Sequence, residues 1–205
     1  MKRLMFVVLL FGVVERSIAQ DFEFGLRDSQ FAKFGYVFSN RVFLGIEQSL
    51  LNVKMREQSG HLLLGYRHSY HNWNNNAYIY AGIEYGGRWH RIGAQFQSGY
   101  KLKSFILTGT INPNYDSGLD FQFNYDIDAG FIIFQKVNNY LDNVIVGASF
   151  GNIPEFRDNI KNLRVGIKFT SARLWVHPEI SLPGIDQNAN FIRVLCNFGW
   201  KLRCK

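Results

Sequence analysis

Eleven consecutive residues, Leu119 to Ala129, alternate without a break between apolar and polar side chains. Leu119, Phe121, Phe123, Tyr125, Ile127 and Ala129 fall on one face. Asp120, Gln122, Asn124, Asp126 and Asp128 fall on the other. Period-two patterning of this length requires an extended strand whose two faces meet different surroundings. At ~3.4 Å per residue the run is ~37 Å long; tilted by ~45°, it crosses a bilayer core, which needs about 9–11 strand residues.

The same period recurs along the chain. Ala77, Ile79, Ala81, Ile83 and Tyr85 oppose Tyr78, Tyr80, Gly82 and Glu84. His90, Ile92, Ala94, Phe96, Ser98 and Tyr100 oppose Trp89, Arg91, Gly93, Gln95, Gln97 and Gly99. Segments 163–169 and 191–202 repeat the pattern, and 21–27, 31–38, 41–50, 61–70, 104–112, 131–137, 143–150 and 172–180 are further candidates. The raw count is thirteen strands. A bacterial single-chain barrel has an even number, so ten or twelve are expected. The surplus falls either to a half-strand among the two N-terminal segments or to a loop at 172–180. Turn residues punctuate the runs at Ser39-Asn40, Asn72 to Asn76, Gly86-Gly87, Asn112 to Gly118, Asn138-Asn139 and Asp186 to Asn190. Longer breaks fall at 51–60, 151–162 and 181–190, and 153–162 has room for a turn or two of helix.

A soluble β-sandwich also alternates, but its water-facing side gains nothing from glycine. Here the polar face is read to carry Gly45, Gly65, Gly82, Gly93, Gly99, Gly109, Gly166 and Gly199. A narrow barrel interior does gain, because glycine lets the wall curve and leaves room for large neighbours. The same face is read to carry Glu47, Glu84, Asp120, Asp126 and Asp128 against Arg41, Arg67, Arg91, Arg164, Lys168 and Arg193. Charges of both signs can pair across a small lumen and close it. On the apolar face Tyr66, Tyr85, Tyr100, Tyr125 and Trp200 suit the aromatic girdles of a membrane interface.

The N-terminus reads as a secretory signal peptide. Lys2 and Arg3 precede an apolar run from Leu4 to Val14, and Ser17-Ile18-Ala19 places small residues for cleavage. No cysteine follows the site for a lipid anchor. Removal of 1–19 leaves one barrel domain at 20–205 and lowers the net charge from +7 to +5. An exported chain of this balance meets anionic lipids and lipopolysaccharide rather than nucleic acid. After the leader no run of ~18 apolar residues offers a membrane helix.

The leader ending Ser-Ile-Ala-Gln and the hairpin pattern over the whole mature chain resemble small outer-membrane β-barrel proteins of Gram-negative bacteria, especially those of Bacteroidetes type. That resemblance implies an antiparallel up-and-down transmembrane barrel in the outer membrane, folded by the barrel insertion machinery. Many such barrels end in an aromatic residue; here the last aromatic, Trp200, stands five positions before Lys205.

Chemistry is sparse. His61, His68 and His71 lie within eleven residues, and Ser69 with His71 shares strand parity for a base and a nucleophile. This pair would suit a lipid hydrolase. The plainer reading makes Tyr70, His71 and Trp73 an interfacial turn. Cys196 and Cys204 would lie ~27 Å apart on a continuous strand, too far to bridge; Cys196 falls on the apolar face. The alternating aspartates spread along a wall instead of around a calcium ion. No cofactor or metal site is expected. The first functional expectation is a non-enzymatic outer-membrane barrel with a polar, largely occluded lumen and a structural or envelope-interacting role. Three rival readings stand beside it: a porin-like narrow channel for small solutes, the lipid hydrolase built on Ser69 and His71, and a secreted β-sandwich binding module.

Overall fold

The computed structural model describes residues 19–27, 31–38, 41–49, 59–84, 89–116, 120–136, 140–152, 162–182 and 192–203. Among them twelve strands run in chain order: β1 Ala19–Arg27, β2 Phe31–Phe38, β3 Val42–Ser49, β4 Ser59–Tyr70, β5 Trp73–Glu84, β6 Trp89–Leu102, β7 Phe105–Asp116, β8 Asp120–Gln135, β9 Asn143–Gly151, β10 Asn162–Thr170, β11 Leu174–Leu182 and β12 Arg193–Arg203. Each pairs antiparallel with its neighbour in sequence. β1 closes on β12 through Asp21–Arg203, Phe24–Trp200 and Leu26–Phe198. The chain is an all-β, up-and-down barrel of twelve strands without a free edge.

The faces separate as a membrane barrel requires. Leu62, Ile79, Ile83, Phe121, Ile127 and Phe131 point outward, each with more than half its surface exposed. Glu47, His61, Asn114, Asn124, Asp126, Arg164 and Glu179 point inward and are buried. Exposing the apolar set to water would cost roughly 25 cal/mol per Å² of apolar area. Closure pairs every strand's backbone, which hydrocarbon cannot do. A closed barrel with this inside-out polarity is an outer-membrane protein.

Several strand boundaries differ from the sequence reading. The surplus strand came from splitting β8. Segments 119–129 and 131–137 belong to one strand, and its ladder to β9 shifts between Ile132 and Phe134. The bulge puts Ile133 and Phe134 both outside, so the alternation dissolves into an apolar run. Both N-terminal segments and 174–182 are full strands. The asparagine-rich breaks are mostly strand. Only His71 and Asn72 turn between β4 and β5, and β7 continues to Asp116, with Asn112 and Asn114 buried inside. Gly109 faces outward with Leu107 and Ile111, not into the lumen. Residues 1–18 of the leader read as 1–19, and segments 153–161 and 183–191, lie outside the described residues, as do Tyr85 and Cys204; Ala19 begins β1.

The two ends of the barrel are unlike. The start of β1, the end of β12 and the connections 39–41, 71–72, 103–104, 136–142 and 171–173 share one end. The connections 50–58, 152–161 and 183–192 are at the other. Short turns face the periplasm in outer-membrane barrels and longer loops face outward. The positive-φ residues Arg41, His71, Lys103 and Lys136 all lie at the short-turn end.

Candidate functional site: the lumen

Inward glycines let large inward rings lie flat on the wall. A Cβ on Gly35 or Gly45 would stand 2.2 or 2.6 Å from the Phe43 ring. A Cβ on Gly93 would meet the Tyr80 ring at 2.7 Å, and one on Gly199 the Trp175 indole at 2.5 Å. The rings therefore fill the lumen beside the wall rather than pointing across it. Phe43, Leu63 and Tyr80 form a buried apolar cluster, with Val37 and Tyr78 packed against it.

Cations cover this cluster. Lys33 Nζ sits 5.1 Å from the Phe43 centroid and 5.0 Å from Tyr78, and the Arg67 guanidinium sits 4.6 Å over Phe43. Arg67 then reaches from β4 to β1 and donates to Glu23 Oε1 at 2.5 Å, while Lys201 approaches the same oxygen at 3.1 Å. Tyr80 donates to Asn112 Oδ1 at 2.7 Å, across the position vacated by Gly93. A second network occupies the β8–β12 side. Arg164 donates to Asp126 and lies 3.9 Å from Glu179, which also accepts from Asn197 at 2.8 Å. His177 lies 3.8 Å from Glu179, and Lys168 sits 4.9 Å over the Trp175 ring.

Packing varies along the axis. Toward the loop-bearing end the inward side chains are buried: Leu63, Tyr80, Asn112, Asn114, Asn124, Asp126, Arg164, Glu179 and Ser181. Toward the short-turn end the inward residues Gln97, Thr108, Asp128, Lys168, Trp175 and His177 are partly exposed. Together with the buried Ser149, Arg164, Glu179 and Asn197 they line a recess of about 260 Å³.

The structure distributes the residues singled out in the sequence. Glu47, Arg67, Arg91, Asp126, Asp128, Arg164 and Lys168 line the interior, and Arg164 and Asp126 are in direct contact. The side chains of Glu84, Asp120 and Arg193 lie outside the described residues. Arg41 is not in the lumen. Its φ of 70° takes it out of strand alternation, and its guanidinium meets His68 on the outer face. Tyr66, Tyr100, Tyr125 and Trp200 face outward. Trp73 and Tyr100 pack with centroids 4.7 Å apart near the short-turn end, and Tyr70 and His71 pack edge-on at 4.1 Å. His61 faces Glu47 inside at 3.9 Å, His68 faces out, and His71 occupies the turn. Ser69 pairs with Asn74 along the backbone, and no hydrogen bond joins it to His71. Among the described residues no three His, Cys, Asp or Glu side chains cluster as metal ligands. Glu23, Lys33, Asn112 and Glu179 are lumen residues that the sequence reading missed. Parity with Phe22 and Phe24 on the opposite face was the available signal for Glu23.

No family model matches the chain, and no curated protein matches it. Among solved structures, the chain is similar to the KdgM porin in complex with disordered oligogalacturonate. The TM-score is 0.51 at 7% identity, over 91% of this chain and 99% of that one. The NanC porin in a rhombohedral crystal form aligns over 91% of this chain and 100% of its own, with a TM-score of 0.46 and 9% identity. The similarity to KdgM is one of fold, and with the closed sheet and apolar outer wall it makes this chain an outer-membrane β-barrel of porin-like architecture.

Proposed function

We propose that this is an outer-membrane barrel whose lumen is filled in its loop-bearing half, so that it serves as an envelope component and not as a general diffusion pore. One observation carries the reading: the inward side chains of that half are buried to within a few per cent, as Asn114 and Asn124, both at 2%. The wall of a water-filled pore would remain accessible to water. On this reading the leader is removed after Ala19, the insertion machinery folds the chain, and outer-membrane lipids and lipopolysaccharide surround it.

A narrow solute channel is the second reading. The recess with Asp128 and Lys168 on its wall favours it, and the KdgM fold is that of a porin. Planar-bilayer recording separates the two. The filled barrel gives no steady open-state current, whereas long-lived uniform current steps from the wild-type chain would overturn the first reading in favour of the second.

A further inference from the structure

Among the described residues the outer wall carries a polar row between apolar ones. His68 on β4 pairs with Asn75 on β5, Asn75 with Ser98 on β6, and Ser98 with Gly109 on β7. All four positions face outward. Tyr66, Ala77, Phe96 and Ile111 form the next outward row toward the loop end. Tyr70, Trp73 and Tyr100 form the one toward the short turns. Polar side chains facing hydrocarbon cost free energy unless they meet a partner. The row lies just inside the aromatic belt, where lipid head groups begin.

The hydrogen bonds within the row fix what it offers. Arg41 Nη1 donates to His68 Nδ1, which leaves the Nε2 hydrogen of His68 as a donor. Ser98 Oγ donates to Asn75 Oδ1 at 2.7 Å, which leaves the Asn75 amide hydrogens as donors. Arg41 has further N–H groups and no acceptor. The bond from Arg41 uses the one lone pair of the His68 ring nitrogen. What remains is a cation at the rim, Arg41, with the His68 and Asn75 donors beside it and the Ser98 oxygen as an acceptor. Gly109 adds space: a Cβ there would meet nothing within 4 Å, unlike every other described glycine of the wall. The result is an outward depression of about 390 Å³, with Tyr66, Phe96 and Ile111 on its apolar side.

We propose that this notch seats an acyl chain of a glycerophospholipid in the leaflet at the short-turn end, with the phosphodiester at its rim on Arg41 and His68. A phosphodiester presents only acceptors and a negative charge, the complement of the Arg41 and His68 donors at the rim. Ser98 is bonded to Asn75 and His68 to Arg41, so serine and histidine are not paired as a nucleophile and its base; the arrangement holds a lipid and does not cleave it.

Native mass spectrometry of the whole barrel tests this. The protein is released from detergent micelles after incubation with dimyristoylphosphatidylglycerol, with dimyristoylglycerol, or with inorganic phosphate. The wild type should retain the phospholipid at least about tenfold over the diacylglycerol, the margin expected of one charge-assisted hydrogen bond. The double variant Arg41→Gln, His68→Leu should lose that preference. Gly109→Leu fills the notch without disturbing the wall, so it should keep the heat-modifiable gel mobility of a folded barrel and still lose the phospholipid. It decides the matter if the double variant fails to fold. Equal retention of both lipids by the wild type, or unchanged phospholipid retention in Gly109→Leu, would overturn the proposal. Displacement of the phospholipid by retained inorganic phosphate would overturn the lipid as the ligand.

Discussion

Replacing Arg164 by Met tests whether the buried network holds the barrel together. The side chain is about 5% exposed, bonds Asp126 and lies 3.9 Å from Glu179. Glu179 keeps the Asn197 amide at 2.8 Å, so the principal loss falls on Asp126. Removing one partner from a buried ion pair typically costs about 3–5 kcal/mol, because the remaining charge keeps its desolvation cost without its counter-charge. Lys201→Met provides the contrast. Lys201 also approaches a carboxylate, Glu23, but is 48% exposed, and Glu23 keeps Arg67. Pairs of that kind contribute about 0–1 kcal/mol. The double variant Arg164→Met, Asp126→Leu removes both charges and should recover most of the loss, since apolar replacement of a buried pair is often neutral or stabilising by about 1–4 kcal/mol. The assay is urea unfolding of the barrel in phosphatidylcholine vesicles, followed by tryptophan emission. Equal losses for Arg164→Met and Lys201→Met would refute the argument from burial. Failure of the double variant to recover would refute the assignment of the cost to Asp126.

Three further outcomes follow from the lumen and the wall. Phe43→Ala should cost about 3–5 kcal/mol, as for other buried aromatic truncations, and bilayer recordings should show new current steps, because the ring supports both Lys33 and Arg67. Gly93→Val should cost about 1–3 kcal/mol by overpacking, since its Cβ would displace Tyr80 from Asn112; urea titration with Tyr80→Phe as the reference isolates the lost hydrogen bond. The β10–β11 ladder skips from Gly166–Glu179 to Phe169–Val176, next to Pro178, which has no N–H to donate. Pro178→Val should therefore slow amide exchange around Ile167 and add roughly 0.5–1.5 kcal/mol of stability; unchanged exchange there would separate the gap from the proline.

The barrel was legible because the membrane enforces one rule on every strand, apolar outside and polar inside. β10 obeys it from end to end, so its faces could be read residue by residue. Reading failed where a backbone irregularity broke the period. The β8 bulge hid the continuity of a 16-residue strand, and the positive φ of Arg41 removed a charge from the lumen. Asparagine misled in the opposite direction: Asn112 and Asn114 look like turn residues, yet inside the wall Asn112 Oδ1 accepts from Tyr80 and Asn114 Nδ2 donates to the Asn112 backbone carbonyl. The contacts themselves were not legible. Arg67 meets Glu23 three strands away, a pairing set by side-chain reach across a curved wall and by the glycines that lower the rings between them.

The unequal packing of the two ends has an electrical consequence. Where the lumen is open to solvent, mobile ions short-circuit the field, so a potential across this membrane falls mainly over the packed half. Asp126 sits in that half, and Arg164 and Glu179 stand where it meets the recess, whose wall they also line. Moving one elementary charge through a full 100 mV is worth about 2.3 kcal/mol. A drop compressed into part of the wall delivers that work over a shorter path, so small displacements of these three side chains would couple strongly to voltage, while Lys168 and His177 in the recess would feel little of it.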